Sequence, residues 1–146
     1  MPNQYTYAEL SYHPKEILNT NEEKLKIGGL MLYWGEGSKK SDNGIDFANS
    51  DPIMISYFLK FFRTIYNPTE KRLRALLYTY HDNNIPEQIK YWSNITKIPV
   101  SQFSKPYTRS TSQQKHDKMP HGLVHVRYYD KRLLLHLMSA LIQVIC

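Results

Sequence analysis

Cysteine is almost missing from this chain: among 146 residues only the last, Cys146, is one. A single thiol excludes an intramolecular disulfide and any zinc site built on cysteines. It also fits a reducing compartment. Histidine does not fill the gap, because His81, His116, His121 and His125 lack both a His-x3-His spacing and a cysteine partner. Long apolar runs are absent as well. The longest apolar-rich stretch, residues 133–145, is too short to span a bilayer and is interrupted by His136 and Gln143. The first residues are polar and tyrosine-rich, without the apolar centre of a signal peptide. These absences predict a soluble, intracellular protein with no membrane partner, cytoplasmic or held in a nucleoid or organelle.

Acids are scarce relative to bases. Lys and Arg number 19 against 13 Asp and Glu, a net charge of +6, which favours a polyanionic partner. The charge is uneven. Residues 101–132 hold seven Lys/Arg (105, 109, 115, 118, 127, 131, 132) and two acids (117, 130), so five of the six excess charges lie there. An apolar content of 41% argues against disorder. Twelve tyrosines supply flat apolar rings with polar tips, suited both to cores and to surfaces that meet a partner.

Periodicity organises the chain into one domain at 25–146 behind an N-terminal arm at 1–24. Residues 25–34 are apolar nearly all round and predict a buried helix, ended by Gly35 and Gly37. Residues 38–49 read as a hairpin, with a first strand at Lys39-Lys40, a turn at Asp42-Asn43-Gly44 and a second strand at residues 45–49. Asp51 followed by Pro52 signals a helix start. That helix should reach Tyr66 with Met54, Phe58, Phe61 and Ile65 inward. Residues 72–80 alternate as a strand, with Arg72, Arg74, Leu76, Tyr78 and Tyr80 on one face. Residues 86–96 form an amphipathic helix, and 104–121 a long exposed loop. A strand at 122–129 turns His125, Arg127 and Tyr129 away from Val124, Val126 and Tyr128. Asp130 then caps a last helix.

The order αββαβ-α-βα favours an α+β fold, an antiparallel sheet with helices packed on one face. Its free face would carry Arg72, Arg74, His125 and Arg127, with Lys39 and Lys40 on the hairpin. Such a basic sheet face can bind duplex DNA, holding phosphates and reaching base edges in the major groove.

The run Gly28-Gly29-Leu30-Met31-Leu32-Tyr33-Trp34-Gly35-Glu36-Gly37-Ser38-Lys39 stands out, because it stops at Gly-Glu-Gly and leaves one carboxylate at its end. Small residues at its start permit close helix packing. If two copies met along it, two Glu36 carboxylates would arrive side by side, as a divalent metal site requires. The segment Leu32-Tyr33-Trp34-Gly35-Glu36-Gly37-Ser38, with Phe47-Ala48-Asn49-Ser50-Asp51 opening the next helix, resembles the LAGLIDADG homing endonuclease family. Many members end their motif in Gly-Glu-Gly-Ser and start the second helix after a Gln/Asn-x-Asp pattern. The likeness spans roughly residues 25–80 and resumes at 122–145.

The resemblance implies a saddle-shaped sheet in the DNA major groove and a homodimer reading a near-palindromic site. Its motif helices would pack at the two-fold through Gly28, Gly29 and Leu32. It implies an Mg²⁺-dependent nuclease, a phosphodiester hydrolase without a small-molecule cofactor, in which Glu36 binds the metal and Asn49 positions water. This chain departs from the family at Leu30 and Met31, where small residues are usual, and at Trp34, where Asp is common. Residues 81–121 are an insertion of a helix and a basic loop, from which Lys105, Arg109 or Lys115 would meet DNA in place of the family's catalytic lysine. Two other functions fit the same residues: a non-cleaving, sequence-specific DNA-binding regulator, and a single-stranded nucleic-acid or RNA-binding protein.

Overall fold

The computed structural model describes residues 21–40, 44–110 and 119–146. Its elements run α1 (Asn21–Glu36), β1 (Ile45–Asn49), α2 (Pro52–Tyr66), β2 (Leu73–Tyr80), α3 (Ile85–Thr96), β3 (Tyr107–Arg109), β4 (Leu123–Tyr128) and α4 (Lys131–Ile145). The protein is α+β, with one four-stranded sheet in the order β1-β4-β2-β3.

Local chemistry explains the helix limits. Asp51 accepts the Ile53 N–H at 2.8 Å, and Pro52 occupies the first turn of α2, where no N–H is needed. Asn67, left-handed at φ 44°, closes that helix. Asn84 and Asp130 cap α3 and α4 in the same way as Asp51. The apolar face of α2 is wider than the expected stripe. Phe58 and Phe61 are buried, but so are Ile55, Leu59 and Phe62, whereas Met54 and Ile65 are not fully covered.

Aromatic rings join the layers. Phe58 lies 4.3 Å from Phe47 of β1, nearly parallel at 8°, and 5.8 Å from Tyr33 of α1. Phe62 meets the edge of Tyr128 on β4 at 5.5 Å. Val124, Val126, Leu73, Ala75 and Leu77 complete this side of the sheet. Every second residue of β2 and β4 therefore faces the helices, as the period of two demands.

The sheet is mixed, not wholly antiparallel. β4 runs antiparallel to β1 and β2, but β3 runs parallel to β2, pairing Tyr78 with Tyr107 and Tyr80 with Arg109. The reason lies in the connection. A helix between two neighbouring strands carries the chain back to the starting end, and α3 does so between β2 and β3. Residues 104–121 are thus not a loop throughout, since β3 occupies part of them.

Several boundaries also differ from expectation. α1 begins at Asn21, inside the expected arm, and continues through Gly35 to Glu36. It is not buried all round: Gly29, Leu30 and Tyr33 are buried, while Trp34 is 49% exposed. Lys39-Lys40 is no strand, and among the described residues the expected hairpin reduces to one antiparallel bridge, Gly37 to Phe47. Asp42 and Asn43 of the expected turn lie outside the described residues, as does the arm before residue 21. Arg72 precedes β2 in a short turn.

The glycine pair in α1 meets α2 of the same chain. A methyl group at Gly29 would stand 2.0 Å from the Phe61 ring, and one at Gly28 would stand 2.2 Å from the Tyr57 hydroxyl. The close approach is thus made within the chain. Gly35, by contrast, faces open space. Gly29→Leu is expected to lower folding stability by about 1–3 kcal/mol through overpacking. Gly35→Ala should raise it by about 0.4–1 kcal/mol by restricting the unfolded chain. Denaturant midpoints measure both. Equal, small effects at the two positions would show that the glycine pair does not set the α1–α2 approach.

Candidate nucleic-acid interface

The sheet face turned away from the helices carries Asp46 and Ala48 on β1, Leu123, His125 and Arg127 on β4, and Arg74, Leu76 and Tyr78 on β2. Register sets their neighbours. Arg127 stands opposite Asp46 on one side and Arg74 on the other, and His125 stands between Ala48 and Leu76. Two arginines directly opposite each other repel. Asp46 offsets this: its carboxylate meets Arg127 Nε at 3.2 Å and His125 Nδ1 at 2.9 Å. Arg74 is held differently, donating through Nη1 to the carbonyls of Lys71 and Leu73 at 2.7 and 2.8 Å.

Asp46 is the electrostatic centre of this face. Burial pushes its carboxyl up, but the hydrogen bond and charge of His125 and the charge of Arg127 together outweigh burial and hold its pKa below the ordinary value. Asp46 is absent from the sequence-based candidates. The signal for its role is nonetheless present in the alternation, which puts Asp46 and Arg127 on the same side of neighbouring strands.

Beyond Arg74 the face becomes aromatic. Tyr78 lies 4.8 Å from Tyr107 on β3 and 4.6 Å from His125. The Arg109 guanidinium stands 5.4 Å over the Tyr80 ring. Tyr107 is absent from the sequence-based candidates, although Tyr107-Thr108-Arg109 has the aromatic and β-branched content of a strand.

Of the expected DNA-contacting residues, the structure brings Arg74, His125 and Arg127 together, with Arg109 further along the same surface. Arg72 is elsewhere. Its guanidinium covers the Tyr128 ring at 4.7 Å and donates to the Tyr129 carbonyl at 2.8 Å, because it leaves the chain before the strand alternation begins. Lys39 and Lys40 are exposed after α1, with Lys39 Nζ donating to the Gly37 carbonyl at 3.0 Å. Lys105 is exposed ahead of β3, and Lys115 lies outside the described residues.

Glu36 is the exposed last residue of α1 and makes no hydrogen bond or ion pair among the described residues. A carboxylate at a helix C-terminus costs a few tenths of a kcal/mol (roughly 0.3–1). The chain just beyond it is tightly held. The Gly37 N–H donates to the Tyr33 carbonyl at 2.7 Å, the Ser38 N–H to the Asp46 carbonyl at 2.9 Å, and the Tyr33 hydroxyl to the Ser38 carbonyl. A methyl group at Gly37 would lie 2.4 Å from the Tyr33 ring, so glycine is needed there for packing. Burial of Tyr33 pushes its hydroxyl up to about 12. Asn49 accepts the Asp51 N–H at 2.8 Å and shapes the turn into α2. The Gly37–Phe47 bridge brings Glu36 beside β1, the strand that ends at Asn49. No group of three or more His, Cys, Asp or Glu side chains that could hold a metal ion assembles among the described residues. Among the described residues no helix is long and apolar enough to cross a membrane.

Asp46 yields a pH prediction. Its folded-state pKa is depressed, so its contribution to stability is present above its unfolded value near 4 and is lost as pH falls through the lower folded value. Asp46→Asn is expected to cost about 1–2 kcal/mol at pH 7, and the gap from the wild type should close below about pH 4. Urea titrations between pH 2.5 and 7 measure this; a gap independent of pH would rule out the carboxylate as its source. No family model, curated protein or solved structure matches this chain.

Proposed function

We propose that this protein is a duplex DNA-binding protein of the LAGLIDADG type, acting as a homodimer through the helix-free face of its sheet. The observation that carries the reading is the register that sets Arg74 and Arg127 opposite each other on that face, with His125 beside them. Arg127 oriented by Asp46 and Arg74 by backbone carbonyls leave a positive surface, and positive sheet faces hold phosphates while their strands meet the groove. The net charge of +6 supports the same partner. The Gly-Glu-Gly-Ser motif and the Asn-x-Asp start of α2 supply the likeness to the family.

Cleavage is the further part of the proposal. Glu36 from each of two chains would supply the carboxylates for Mg²⁺, which when bound activates water and stabilises the departing oxygen. Asn49, on the strand beside Glu36, would orient that water. The exposure of Glu36 at an unfavourable helix end, without a partner among the described residues, supports a role outside the single chain. A binding module without cleavage is the second reading, favoured by the lack of any group of three or more metal-ligating side chains among the described residues.

Duplex binding should weaken steeply with salt, and Arg74→Ala should reduce the slope of log K against log salt by about 1. An unchanged slope would remove Arg74 from the phosphate contacts. Glu36→Gln is expected to abolish Mg²⁺-dependent nicking while duplex affinity stays within about threefold of wild type, less than one pair's worth of binding energy. Nicking that survives this change overturns the metal assignment. Absence of nicking in the wild type on all duplexes it binds selects the non-cleaving reading. Sedimentation should report twice the chain mass of 17.3 kDa; a monomer at micromolar concentration would rule out a paired-carboxylate site.

A further inference from the structure

The aromatic end of the open face is a cleft of about 550 Å³. Tyr78, Tyr80, Tyr107, Arg109, Met119 and Leu123 line it. Its chemistry differs from the Arg74–Arg127–Asp46 cluster. Tyr107 is 55% exposed, an unusual state for a ring on a sheet, and Tyr78 backs it at 4.8 Å while itself resting on His125. Three planar groups thus lie in a row, tilted by 33° and 38° from one to the next, and the outer ring is open to solvent. Arg109 closes the other side. Its guanidinium lies over Tyr80 and among the described residues gives one long hydrogen bond, 3.4 Å, to the Tyr80 hydroxyl, with most of its five N–H donors without a partner there.

An apolar slot alone would accept any greasy group. Two observations narrow the occupant. The one charged side chain lining it among the described residues is a cation, and it sits in the stretch of residues 101–132, which holds five of the six excess positive charges. A ligand that satisfies both the open ring and the guanidinium needs a planar aromatic body with an anion attached. We infer that this cleft binds an unpaired nucleobase together with its adjoining phosphate, the base stacking on Tyr107 and the phosphate resting on Arg109. This inference rests on the open face being the nucleic-acid surface and extends it: fully paired DNA would use the arginine cluster, and a bulged, flipped or terminal base would enter the cleft. The edge position of β3 allows this, because a base stacked inside a duplex cannot reach a slot between two side chains without leaving its neighbours.

The test uses the full chain and two hairpins with the same loop and the same stem, one stem fully paired and one carrying an added bulged 2-aminopurine, with adenosine monophosphate as a separate probe. Wild type is expected to bind the bulged hairpin about tenfold more tightly and to quench its 2-aminopurine fluorescence, as stacking on a tyrosine should. Tyr107→Ala should bring the bulged hairpin to the affinity of the paired one and abolish quenching, and Tyr107→Trp should restore both. Tyr107 is an exposed edge residue, and an unchanged melting temperature confirms that the variants fold. Equal affinity for the two hairpins without quenching overturns the cleft assignment while leaving duplex binding standing. Binding of the bulged hairpin or the monophosphate with no binding of paired DNA overturns the duplex reading and keeps the cleft; a monophosphate that binds as tightly as the bulged hairpin identifies a free nucleotide as its ligand. Loss of all three overturns both.

Discussion

Tyr33 is the residue on which the rest depends. Its ring is buried between α1, Phe47 and Phe58, while its hydroxyl bonds the Ser38 carbonyl and receives the Asp46 N–H at 3.3 Å. One side chain therefore joins the helix, the chain leaving it and the first residues of β1. Gly37 must lie flat against that ring, so Glu36 is delivered to a fixed place at the helix end. The neutral hydroxyl is favoured by burial, and the link is lost only as pH rises through about 12. Asp46 gains its orientation from the same contact, since its N–H is tied inward while its carboxylate turns to the opposite face.

The consequence is a division of labour within β1. Phe47 faces the core and stacks on Phe58, and Asp46 faces outward to hold Arg127 and His125. A slip of one residue would exchange these sides and bury a carboxylate. The aromatic core makes that slip costly, which keeps the outward charges in register. The basic surface is thus not a loose collection of lysines. Its arginines are part-anchored, Arg74 by backbone carbonyls and Arg127 by Asp46, and anchoring reduces the side-chain entropy lost on meeting a phosphate.

Much of this architecture is legible in residue patterns. The caps at Asp51 and Asp130 and the alternation of 72–80 and 122–129 locate elements to within a residue or two, because capping and period-two patterning are local properties. Three features are not local. The parallel pairing of β3 depends on where α3 returns the chain, and no residue in Tyr107-Thr108-Arg109 encodes a direction. Gly28 and Gly29 suggest a second chain as their neighbour, whereas Tyr57 and Phe61 of α2 fill the space; small residues specify a close approach but not the identity of the neighbour. Alternation places Arg72 on the strand, yet it falls one residue before the ladder begins and stacks on Tyr128 instead.

The correction at Gly28 and Gly29 changes what a two-fold interface would look like. With the glycine side of α1 filled by α2, any pairing of two Glu36 residues has to use the outward side of the helix, where Gly35 meets open space and Trp34 is half exposed. Helix termination does not account for Gly35, since the helix continues through it. Glu36 and the aromatic cleft also lie toward opposite edges of the sheet, β1 and β3, strands about 14 Å apart at three strand spacings. A nucleic acid lying across the face would meet the Arg74–Arg127–Asp46 cluster near the middle of the sheet and the paired tyrosines at the β3 edge. The two parts can therefore be disabled separately, and a single connected surface would show itself by coupling between them.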